Sequence, residues 1–266
     1  MNRVTLFLGA AAIALAIGTP QASWAADRWE GDDNPWQAGG SENELTGGTV
    51  QDHDMEGAAD EDWMVLSQRP FSSYEVRIDG FSDGLTYTGT GDTIAVDLVE
   101  SDGTSVSTGY NNHPLAIDRH ITFANDTATA NNEQHIRVSS PNCNPCSAAG
   151  SGYTVRMFDT TYSIPRFNNT ASQVTFLILN NNLDRSVSVT EHFFGPTGTL
   201  LASNPTSINA HGTAVINTST IGGLAGQSGA VTITSSGGYG SLSGKGVALE
   251  PGTGFTFDTM MVLRQP

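Results

Sequence analysis

From Asp62 onward the chain is punctuated: short runs rich in β-branched and aromatic residues alternate with clusters of Gly, Asn, Asp and Ser. Such spacing allows strands joined by turns and leaves no room for a packed helical bundle. No amphipathic helix of useful length appears, and even the alanine-rich Ala124 to Asn132 is broken by Asn, Asp and Thr. The predicted fold class is therefore all-β. The first half offers strands at Trp63–Ser67, Tyr74–Ile78, Ile94–Val99, His120–Ala124, Gln134–Val138 and Tyr153–Phe158. In Tyr74-Glu75-Val76-Arg77-Ile78 one face is apolar and the other charged, the pattern of a half-buried antiparallel strand.

Near Ser163-Ile164-Pro165-Arg166-Phe167 the acidic composition gives way to a neutral one and a proline interrupts the strand pattern, which predicts a domain boundary. Seven more strands are expected beyond it: Val174–Leu179, Val187–Phe194, Leu200–Ser203, Thr213–Asn217, Val231–Thr234, Leu242–Leu249 and Phe255–Val262. Their number and turn spacing predict an immunoglobulin-like (Ig-like) sandwich without a Cys-Trp-Cys framework. The division expected is residues 1–25, an irregular acidic lead-in over 26–50, a first β-sandwich over 51–163 and a second over 164–266.

Residues 1–25 read as an export signal, with Arg3 ahead of the apolar Val4–Ile17 and a small-x-small cleavage site at Ser23-Trp24-Ala25. The mature chain is then expected in the periplasm or outside the cell. No later apolar run reaches the roughly 18 to 20 residues of a membrane-spanning helix, so no transmembrane segment is expected. The pair Cys143 and Cys146 in Pro141-Asn142-Cys143-Asn144-Pro145-Cys146 fits a local disulfide in an oxidising compartment. A thioredoxin-like context and a second zinc-ligand pair are both missing from the sequence around it.

The net charge of −16 is unevenly placed. Residues 27–104 carry 19 acidic and 3 basic side chains, against 8 and 7 over residues 105–266. That field repels phosphate backbones and excludes nucleic acid as an expected partner, while favouring cations or basic partners.

The segments Gly31-Asp32-Asp33-Asn34-Pro35-Trp36, Asp60-Glu61-Asp62-Trp63, Ser73-Tyr74-Glu75-Val76-Arg77, Val96-Asp97-Leu98-Val99, Gln134-His135-Ile136-Arg137-Val138 and Gly152-Tyr153-Thr154-Val155-Arg156 together resemble bacterial pre-peptidase C-terminal (PPC-like) domains. The resemblance covers about residues 31–160, and the stretch Gly80 to Gly91 departs from it. It implies a jelly-roll-like sandwich that accompanies secreted enzymes as a non-catalytic accessory. It also implies calcium near the start of the domain, where Asp52, Asp54, Glu56, Asp60 and Asp62 could supply oxygen ligands to a cation that takes 6 to 8 of them. The competing reading of the same run, Glu61 included, is a solvated acidic face. Trp63 is expected to plug the sandwich core.

Catalytic patterns are weak. The six histidines, His53, His113, His120, His135, His192 and His211, form no metal-binding spacing, and Gly226-Gln227-Ser228-Gly229 reads as a turn rather than a nucleophile loop. Tyr87, Tyr110, Tyr162 and Tyr239 lie in or near Gly/Asn/Ser-rich stretches suited to gripping a polysaccharide or protein surface. The function expected is a secreted, non-catalytic binding or structural module. The alternatives are a small hydrolase with a site assembled from distant loops, which a cleft gathering His, Asp and Ser would support, and a surface assembly subunit pairing through strand edges.

Overall fold

The computed structural model describes residues 43–54, 61–79, 95–100, 105–109, 119–131, 134–139 and 152–264. The expected export signal, most of the lead-in, Glu56, Asp60, Tyr87, Tyr110, His113 and the Cys143–Cys146 pair lie outside them. Every regular element described is a strand apart from one 3-10 turn at Thr218–Thr220.

In chain order the first half contributes β1 (Glu44–Leu45), β2 (Val50–His53), β3 (Glu61–Leu66), β4 (Ser72–Asp79), β5 (Ala95–Val99), β6 (Ser105–Gly109), β7 (Arg119–Asn125), β8 (His135–Ser139) and β9 (Tyr153–Asp159). They form one sheet ordered β1-β3-β8-β5-β6 and a second ordered β2-β9-β4-β7. Apart from the short parallel β1–β3 contact, every pairing is antiparallel. Met64, Tyr74, Val76, Ile136, Val155 and Met157 fill the space between these sheets.

The second half contributes β10 (Tyr162–Asn168), β11 (Val174–Asn181), β12 (Val187–Phe194), β13 (Leu200–Ile208), β14 (Thr213–Asn217), β15 (Ser228–Ser235), β16 (Leu242–Glu250), β17 (Phe255–Met260) and β18 (Val262–Leu263). Their sheets are ordered β13-β12-β15-β10-β18 and β14-β11-β16-β17. Strict alternation along β11 sends Leu177 and Leu179 inward to meet Phe167, Val189, Phe193 and Ile233 in a second core. Phe167 and Phe193 meet edge to face at 5.3 Å, the arrangement ring quadrupoles favour. The architecture is thus two β-sandwiches in series, each a five-stranded sheet facing a four-stranded one.

Four details differ from the sequence reading. The last residues of the supposedly irregular lead-in are ordered, with Glu44–Leu45 paired to Val65–Leu66. The expected boundary at 163/164 falls inside a strand, because β10 starts at Tyr162 and belongs wholly to the second sandwich. Pro165 does not end that strand: the register shifts between Ile164 and Phe167, and a bulge is where a ladder tolerates proline. Trp63 is buried, but on the outer side of its sheet. There it packs on Val99, its Nε1 donates to Glu61 Oε2 at 3.1 Å, and the Arg137 guanidinium sits 5.6 Å above its ring. Alternation in β3 gives the core side to Asp62, Met64 and Leu66 instead.

Candidate functional site: a polar seam between the sandwiches

Alternation along β4 turns Tyr74, Val76 and Ile78 toward the core and Glu75 and Arg77 away from it. An outward carboxylate on a free sandwich would be solvated, yet Glu75 is 2% exposed. The turn between β15 and β16 covers it. Glu75 Oε2 accepts the Tyr239 backbone N–H at 2.9 Å, and Oε1 accepts from Arg77 Nη2 at 3.1 Å. A Cβ at Gly238 would stand 2.8 Å from the carboxylate, so a larger residue there would displace the turn. Nearby, Thr122 Oγ1 donates to the Ser236 carbonyl at 3.0 Å, and the Tyr239 ring packs 5.5 Å from Phe158.

A second contact is built around His192, on the outward side of β12. Its side chain is 1% exposed because Phe71, held at φ +49° just ahead of β4, lies on it with ring centroids 4.8 Å apart. His192 Nε2 donates to Asp126 Oδ1 at 3.1 Å, and Nδ1 lies 2.9 Å from Ser203 Oγ. With the ε proton committed to a carboxylate, a neutral ring presents Nδ1 as acceptor for the serine hydroxyl. Asp126 also accepts from Thr234 Oγ1 at 2.6 Å and from Thr190 Oγ1 at 3.4 Å. The His192 hydrogen bond, opposed by partial burial and helped by the two threonines, holds this carboxyl below the ordinary carboxylate range.

The structure therefore brings Ser, His and Asp together from residues 126, 192 and 203, which no spacing in the sequence announces. The geometry favours docking over nucleophilic chemistry. Histidine, which would have to shuttle protons, is sealed beneath Phe71, whereas Asp126 is 46% exposed. Ser203 sits within the β12–β13 ladder opposite His192, not on a turn that aims backbone N–H groups at a developing oxyanion. Three donors from the second sandwich converge on one loop carboxylate of the first, which is the arrangement of a latch.

The third contact closes on Asp159, whose side chain is 3% exposed. Arg69 from the first sandwich and Arg264 from the second both reach its Oδ2, the latter through Nη2 at 3.1 Å and Nε at 3.3 Å. Asp159 Oδ1 accepts the Thr161 backbone N–H at 2.9 Å, tying the carboxylate to the two-residue connection Thr160–Thr161, which is itself fully buried.

The predicted site residues are placed elsewhere. Asp52 points outward from β2 and accepts from Thr154 Oγ1 at 2.9 Å, whereas Asp62 is buried on the core side of β3 and receives the Tyr153 hydroxyl. Asp54 is buried beyond β2. Among the described residues no three His, Cys, Asp or Glu side chains converge as metal ligands would. His53 stacks on Tyr153 at 5.5 Å, and burial, opposed by Asp52, lowers its pKa to about 4. Of the loop tyrosines, Tyr162 is buried at 5% exposure, and Tyr239 is exposed with its ring against Phe158.

The fold and seam define a class: an all-β protein of two sandwiches docked through buried carboxylates. No protein-family model matches the chain, and no curated protein matches it. Among solved structures it is similar to the pre-peptidase C-terminal domain of a Bacillus anthracis collagenase, at 10% identity and a TM-score of 0.29, over 43% of this chain and 92% of that one. It is also similar to a Bacteroides uniformis β-glucuronidase (12% identity, TM-score 0.19) and a family 2 glycosyl hydrolase of Bacteroides cellulosilyticus (8%, 0.20). The chain covers 26% and 27% of those two enzymes. Likeness at this level carries no argument about function. Among the described residues no helix is long and apolar enough to cross a membrane.

Proposed function

We propose that the chain is an exported, non-catalytic module in which two sandwiches, docked as a unit, bind a protein surface outside the cytoplasm. The observation that supports this reading is the apolar edge of the second sandwich. Along β17, Phe255, Phe257 and Met260 are 62%, 60% and 64% exposed, and the two phenylalanine rings lie 5.6 Å apart. Met260 ends a cross-strand row, Val215–Ile178–Lys245–Met260, whose far member Val215 is 64% exposed. Phe255 and Phe257 share one face of the strand and Met260 lies on the other, so the paired rings are the patch, and adjacent exposed apolar side chains mark contact surfaces. The test is retention of the labelled chain on the producing cells. The double variant Phe255→Ser/Phe257→Ser should lose retention while melting at the wild-type temperature, and unchanged retention would overturn the assignment of this edge.

Calcium stabilisation of the first sandwich belongs to the same proposal. Its candidate ligands are Asp52, Asp54, Glu56 and Asp60, with Asp62 turned to the core side of β3 and bonded by the Tyr153 hydroxyl. A rise in melting temperature on moving from EDTA to millimolar calcium would support it.

One observation favours the assembly-subunit reading as a second possibility for the same edge. Among the described strands β17 pairs with β16 alone; it contains no proline and neutralises its single charge through Asp258 and Lys245 at 2.5 Å, so it lacks the usual guards against edge pairing. Mass that rises with concentration in light scattering would support it, and a strict monomer would count against it.

A further inference from the structure

The bulge in β10 does more than accommodate a proline. Between Ile164 and Phe167 it carries Pro165 and Arg166 out of the ladder, beside the start of β15 and the turn Gly195–Pro196 that follows β12. These three segments wall an open cleft of about 570 Å³. Its floor depends on Gly229, where a Cβ would stand 1.8 Å from the Phe194 carbonyl oxygen. The volume lies within the range of small-molecule sites, about 300 to 1,000 Å³.

The polar groups lining the cleft divide into two kinds. Asn168 and Thr170 satisfy one another: Asn168 Oδ1 accepts the Thr170 N–H at 3.0 Å and the Thr170 hydroxyl at 2.7 Å, while its amide donates to Gln173. They are rigid wall. Arg166 and Ser228, by contrast, make no side-chain hydrogen bond or ion pair among the described residues. Arg69, Arg77, Arg137, Arg156, Arg264 and Lys245 each pair with a carboxylate. Arg166 is an exposed guanidinium without such a pairing, on the wall of the cleft.

We propose that this cleft binds a small hydroxy-carboxylate, the chemistry of a sugar acid, with Arg166 gripping the carboxylate and Ser228 a neighbouring hydroxyl. The planar guanidinium matches a carboxylate through two parallel N–H···O bonds. A single guanidinium, in a half of the chain whose acidic and basic side chains nearly balance, matches the charge of a monoanion better than that of a phosphate dianion or a polyanion. The rings of Pro165 and Pro196 offer aliphatic surface to the C–H side of a polyol or pyranose. The site is independent of the β17 edge and does not rest on the surface contact proposed there.

Titration of the full chain with galacturonate, galactose, acetate and inorganic phosphate, followed by NMR shifts and calorimetry, tests it. Galacturonate should bind at least tenfold more tightly than galactose, acetate or phosphate. Arg166→Gln should weaken that binding by tenfold or more and Ser228→Ala by a few-fold. Because neither side chain has a partner among the described residues, both variants should melt with the wild type, so lost binding reports the site and not unfolding. Galactose or acetate binding as tightly as galacturonate would overturn the ligand class. No galacturonate binding, or binding untouched by Arg166→Gln, would overturn the site.

Discussion

Arg264 Nη2 lies 3.1 Å from the carboxylate of Asp159, and that carboxylate is also the acceptor for Arg69. One buried anion thus holds a cation from each sandwich, directly beside the connection between them. Removing the carboxylate charge leaves two partly exposed guanidinium groups that water can reach, so the cost is about 1 to 3 kcal/mol. Asp159→Asn should lower stability by about that much. In calorimetry it should also split unfolding into two transitions, as the halves lose their shared ion.

The contact at His192 predicts a different signature. Asp126→Ala removes the acceptor for His192, Thr234 and Thr190 and should cost about 1 to 3 kcal/mol. Ser203→Ala, on the exposed side of the same ring, should cost less than about 1 kcal/mol. Neither variant nor the wild type should turn over a p-nitrophenyl ester above background. Turnover abolished by Ser203→Ala would make the latch a catalytic relay instead.

Two buried ionisable groups give the sandwiches opposite responses to pH. His53, lowered to about 4 by burial, stays neutral in the fold while the unfolded chain takes up a proton near 6.5, so its contribution is lost as pH falls from 6.5 through 4. Glu191, whose burial outweighs the opposing hydrogen bonds from Asn204 and Thr206, is raised to about 7 from 4.5, so its contribution is lost as pH rises from 4.5 through 7. Each span corresponds to about 3 kcal/mol. Between pH 4.5 and 6.5 the two slopes oppose. Relative to the wild-type stability curve, Glu191→Gln should add a fall toward acid, and His53→Gln a fall toward neutral pH. Chemical denaturation across that range measures both.

Asp62 separates a structural carboxylate from a metal ligand. It lies on the core side and receives the Tyr153 hydroxyl, so Asp62→Asn should destabilise by about 1 to 3 kcal/mol equally in EDTA and in calcium. A loss confined to calcium-containing buffer would return Asp62 to the ligand set.

The strands with clear apolar alternation were legible: β4, β8, β9, β11 and β12 lie within two residues of where their Val, Ile and Phe spacing put them. The strands that escaped had other local chemistry. β2 is Val-Gln-Asp-His, β6 is Ser-Val-Ser-Thr-Gly, and β10 contains a proline that reads as a terminator until a bulge absorbs it. The seam could not be read at all. Alternation correctly sends Glu75 and His192 outward, but nothing local says that outward means toward the other sandwich. Asp126, His192 and Ser203 meet only because two folded faces come together.

The buried threonine pair at 160–161 has a consequence for how such a molecule meets proteases. Junctions between domains are where extracellular proteases usually cut, since cleavage needs several residues drawn out into an enzyme's groove. Here the junction is two residues long, wholly inside, with Thr160 Oγ1 bonded to Ser73 and the Thr161 carbonyl bonded to the Arg264 N–H. A protease would first have to part the sandwiches, so the pair endures or is lost together.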